Sequence, residues 1–171
     1  SNYLVVAGDS TYKITSRRID SANVTGALVE ERFAIGSHYS VFFTRKTKTD
    51  APSLAVYKDD VAIDKNTAKL TFLNLGYTLA SDIKINDEGG AFTAFTMTYG
   101  DRKTFKVPVN KTTKISFALV SPIATQPDVN TLDSVVATNA KAIAISRGKV
   151  YTVLLDGTKL GELQMRLISA N

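Results

Sequence analysis

The chain has 171 residues, 44% hydrophobic and 22% charged, with a net charge of +5, which is enough chain to bury a core unaided. It contains no Cys, no Trp and one His, which excludes disulfides, thiolate metal sites, iron–sulfur clusters, cysteine nucleophiles and any metal site built on two imidazoles. The basic charge is spread along the chain, with no aromatic RNA-binding signature and no basic amphipathic helix, so nucleic acid is not an expected partner.

Ser1-Asn2 lead straight into a strand-like run, Tyr3–Val6, without a signal peptide, so the sequence is expected to begin either after a removed leader or at an engineered boundary that left Ser1-Asn2 as a cleavage scar. Ala7-Gly8-Asp9-Ser10 then form a turn before the strand-like Thr11–Thr15. From His38 to Phe43 the pattern has period two, which predicts a strand with Tyr39, Val41 and Phe43 facing a core. Arg45-Lys46-Thr47-Lys48 is the densest basic stretch and reads as a solvated hairpin tip. Lys69–Leu75, Ile83–Ile85, Phe92–Met97, Phe105–Val109 and Thr113–Leu119 follow as further strands. Asn86–Gly90 and Asn110-Lys111 mark the turns between them. Ser121–Asp128 carries two prolines and is the longest loop signal. Thr131–Lys141 has a partial helical spacing, but Val135, Val136 and Thr138 are poor helix formers, so a loop running into a strand is expected. Val150–Leu155, the Asp156-Gly157 turn and Glu162–Ile168 form a closing hairpin. Roughly a dozen short strands without a convincing helix predict an all-β sandwich. No apolar run approaches the ~20 residues that span a membrane.

The chain also repeats itself. Ala34-Ile35-Gly36-Ser37-His38-Tyr39-Ser40-Val41-Phe42-Phe43 aligns with Ser146-Arg147-Gly148-Lys149-Val150-Tyr151-Thr152-Val153-Leu154-Leu155, sharing Gly-x-x-Tyr-x-Val. Upstream, Thr11–Ile14 aligns with Thr112–Ile115, and downstream Ser53–Lys58 resembles Glu162–Ile168. The order is preserved. This predicts residues 1–60 as the second half of a β-sandwich module and residues 61–171 as a complete module. The first module then lacks its opening strands, either because the chain begins within it or because upstream chain completes it. The glycines permit the turn into the strand, and the tyrosines point to the core with a hydroxyl able to tie down a neighbouring loop.

The segment Gly148-Lys149-Val150-Tyr151-Thr152-Val153-Leu154-Leu155-Asp156-Gly157 resembles a signature of the DUF4397 domain family. Lys69–Leu75 is similar to that family's opening strand, Ser81–Asn86 to its second strand, and Tyr99-Gly100-Asp101 with Phe105-Lys106-Val107 to the approach to its third hairpin. The family's usual proline-containing turn after the first strand is replaced by Gly76-Tyr77-Thr78-Leu79-Ala80. The resemblance implies Ig-like β-sandwich modules with antiparallel sheets, exported by bacteria and often lipid-anchored, without an established activity. It implies no catalytic residues.

The residues themselves offer little chemistry. His38 has Ser37 and Ser40 beside it, but no Gly-x-Ser-x-Gly elbow exists, and His38 aligns with Val150, so a structural role is expected. Asp59-Asp60 with Asp64, and Asp87-Glu88, match no calcium-loop pattern and read as solvated turn residues. No catalytic residue, metal site or cofactor is therefore expected. Tyr77, Tyr99, Phe92 and Phe95 lie near predicted turns or strand ends and are the candidate ligand-binding residues, since exposed rings stack on sugars. The expected function is a non-catalytic surface or periplasmic module for adhesion, assembly or scaffolding; the alternative is a carbohydrate-binding module for glycan capture. The expected partner is a glycan or another surface protein, with membrane contact only through a lipid anchor outside this chain. Unpaired strand edges also invite an edge-strand dimer.

Overall fold

The computed structural model describes residues 4–17, 25–46, 50–76, 83–87, 93, 95–109, 114–115, 117–120, 143–156 and 164–169. They belong to two compact units, Asn2–Val61 and Ala62–Asn171. Both are built from strands, and no helix occurs among the described residues. The expected Ser121–Asp128 loop, the Thr131–Lys141 segment, the Asn110-Lys111 turn and Gly89-Gly90 lie outside them.

In the first unit β1 (Ser10–Arg17) pairs antiparallel with β2 (Thr25–Phe33), and β3 (His38–Thr44) pairs antiparallel with β4 (Ser53–Asp59). Thr, Tyr, Val, Ile and Phe fill these strands because branched and aromatic side chains suit a pleated surface. The apolar seam is aromatic. Tyr12 stacks on Phe33 with ring centroids 5.7 Å apart, and Phe33 meets Tyr39 at 4.7 Å. Asp9, at a positive φ of 56°, makes the turn into β1, a conformation that Asp tolerates. The strand expected at Tyr3–Val6 does not form over the described residues: Leu4–Ala7 stand outside any ladder, and Leu4 and Val5 are 88% and 91% exposed. An isolated apolar segment has no ladder hydrogen bonds to join unless a partner strand lies beside it.

The second unit contains β5 (Thr67–Asn74), β6 (Ile83–Asp87), β7 (Phe95–Met97), β8 (Arg102–Pro108), β9 (Lys114–Ile115), β10 (Phe117–Val120), β11 (Ile143–Ala144), β12 (Val150–Asp156) and β13 (Gln164–Ser169). One sheet has the order β13-β12-β5-β8, a second β10-β6-β7, and β9 pairs with β11. The pairings are antiparallel with one exception among the described residues, since β5 runs parallel to β12. The expectation of antiparallel sheets fails there. The chain between Leu75 and Lys149 is far longer than the dozen or so residues a parallel crossover needs.

Position in the sheet explains the sequence of β5. Its near-continuous run Ala68-Lys69-Leu70-Thr71-Phe72-Leu73-Asn74 is buried apart from a half-buried Thr71, as befits a strand flanked on both edges and covered on both faces. Phe72 is fully buried, which contributes about 1.5–3 kcal/mol relative to exposure. Its ring meets Phe95 of β7 at 5.3 Å and Phe105 of β8 at 5.9 Å, so the two larger sheets touch through aromatic edges.

Asn74 ends β5 as a buried but fully engaged amide. Its Nδ2 donates to the Met97 carbonyl at 3.4 Å, and its Oδ1 accepts from the Gly76 N–H at 3.0 Å. Its backbone carbonyl accepts from Gly100 at 2.8 Å. Gly100 holds the third position of the Thr98–Asp101 turn at φ 87°, a conformation that favours glycine. Before β5, the Asp64 carboxylate accepts from the Asn66 N–H at 2.9 Å and caps a turn. That bond holds its pKa below the ordinary carboxylate value.

Candidate functional site

Two turns carry the repeat. In the first unit Gly36 has φ 66°, and the Tyr39 hydroxyl accepts a hydrogen bond from the Ala34 N–H at 3.2 Å. In the second unit Gly148 has φ 67°, and the Tyr151 hydroxyl accepts from the Ser146 N–H at 3.1 Å. The same residues at the same offsets make the same turn, with the tyrosine reaching back five residues to satisfy a backbone donor. An antiparallel hairpin follows each turn, with Tyr39 opposite Lys58 and Tyr151 opposite Ser169. Ser53–Lys58 thereby corresponds to Gln164–Ser169.

Strand pairing also refines the upstream part of the repeat. Glu31 and Ile143 both lie eight residues before their tyrosine, and they pair with Tyr12 and Ile115 respectively. Tyr12 is thus the counterpart of Ile115, two residues away from the alignment by sequence. An even shift keeps the same face of the strand, which is why the residue pattern did not expose it.

Burial separates the two copies. Val153 and Leu155 are fully buried, whereas their counterparts Val41 and Phe43 are 39% and 60% exposed. The expectation that Val41 and Phe43 face a core is corrected. β12 is flanked by β5 on one edge and β13 on the other. Among the described residues β3 is flanked by β4 alone. The mostly apolar residues Tyr39–Phe43 therefore lie on a strand with one edge unpaired among the described residues, close in sequence to exposed Ile35. We take this edge as the candidate functional site.

The other candidates fall elsewhere. His38 is the first residue of β3, half-buried and opposite Asp59. Ser40 Oγ donates directly to Asp59 Oδ2 at 2.8 Å. A nucleophilic relay needs the imidazole between hydroxyl and carboxylate, so this arrangement is a cross-strand tie. Phe95 is half-buried against Phe72 and Phe105, with the Lys103 ammonium 5.2 Å from its ring centre, so neighbours already occupy much of its π-surface. Tyr99 sits half-buried in the Thr98–Asp101 turn, at the residue preceding Gly100. Tyr77 and Phe92 lie outside the described residues, as do Thr47 and Lys48 of the basic stretch. Among the described residues no three of His, Cys, Asp and Glu gather as a cation site, and no helix is long and apolar enough to cross a membrane.

The sequence carried no signal for this edge. Nothing in His38–Thr44 distinguishes a strand with two neighbours from a strand with one.

Comparison of the chain with protein-family models, with curated proteins and with solved structures finds no match.

Proposed function

We propose that the chain is a non-catalytic module of the DUF4397 type that works in assembly, scaffolding or adhesion outside the bacterial cytoplasm. In this reading its sheets stack as Ig-like sandwiches, the first unit is a partial module, and a lipid anchor elsewhere on the polypeptide holds it to the membrane. The observation that carries the reading is the exposure of Val41 and Phe43, whose counterparts Val153 and Leu155 are fully buried. An apolar strand with an open edge is a ready template for another polypeptide. The Gly-x-x-Tyr-x-Val hairpin, present twice, supports the family assignment.

The test is photo-cross-linking from benzoylphenylalanine at position 43 in intact cells, together with a glycan-array screen of the chain. Cross-links to a protein of the envelope fraction and an empty array are the expected result. Specific glycan hits abolished by Tyr99→Ala overturn it in favour of a carbohydrate-binding module, and confinement to the cytoplasmic fraction overturns the location.

A further inference from the structure

We draw no further inference here: the strongest candidate, the exposed apolar surface of the first unit at Leu4, Val5, Ile35 and Phe43, carries nothing because nothing in the structure shows what covers it.

Discussion

The hairpins β3–β4 and β12–β13 start from the same turn and reach opposite environments. Gly36 and Gly148 differ by one degree in φ, and both tyrosines hold the backbone N–H five residues behind them. Yet Leu155 is fully buried and Phe43 is 60% exposed. The turn and the hairpin are specified locally, by a glycine that tolerates the left-handed region and a phenol of the right reach. Burial is specified by what packs over the face of the strand. A Gly-x-x-Tyr-x-Val motif therefore reports the shape of the chain at that point and says nothing about whether a core covers it.

Equivalent substitutions in the two copies test this division. The largest effect is expected for Leu155→Ala, at about 2–5 kcal/mol, because it leaves a cavity in a packed core. Its counterpart Phe43→Ala should change stability by no more than about 0.5 kcal/mol, as is usual at exposed sites. Hydrogen exchange, which reads each unit separately, is the appropriate measurement; similar losses in both would break the contrast. Gly148→Ala and Gly36→Ala should each cost about 1–2 kcal/mol, the strain of a left-handed alanine. No atom lies within 4 Å of a Cβ at Gly36, and only an ordinary 3.5 Å contact with Ile63 awaits one at Gly148, so the two losses should agree. A much larger loss at Gly148 would show that the turns are not equivalent. Tyr151→Phe and Tyr39→Phe are expected to cost about 0.5–1.5 kcal/mol each by deleting one hydrogen bond to a backbone donor. The more buried Tyr151 should lie at the upper end, and no loss at either would remove the tyrosine from the motif.

The all-β class was legible in the alternation of the strands, and the shared turn in the two Gly-x-x-Tyr-x-Val segments. Two features were not. The parallel pairing of β5 with β12 joins strands on either side of a long connection, and period-two alternation gives no sign of which distant strand lies alongside. The exposure of Val41 and Phe43 was missed because alternation marks a face suited to burial, whether or not anything buries it. Tyr3–Val6 failed for a related reason, since strand propensity does not supply a partner. Of the candidate site residues, Phe95 proved to be committed to an aromatic cluster with Phe72 and Phe105, a contact that sequence spacing could not reveal. Which edge of β3 lacks a neighbour among the described residues came from strand order alone.

The outer strand β8 of the larger sheet carries Arg102, Lys103 and Lys106 and ends at Pro108, features that discourage uninvited pairing. β3 has none of them. From Tyr39 to Phe43 it is uncharged, β-prone and free of proline, with Arg45 and Lys46 as the first charges beyond its end. Short segments of this composition nucleate cross-β association when left uncovered. Among the described residues this edge is thus an aggregation hazard, and a charge placed within Tyr39–Phe43 should raise the concentration at which the chain stays in solution.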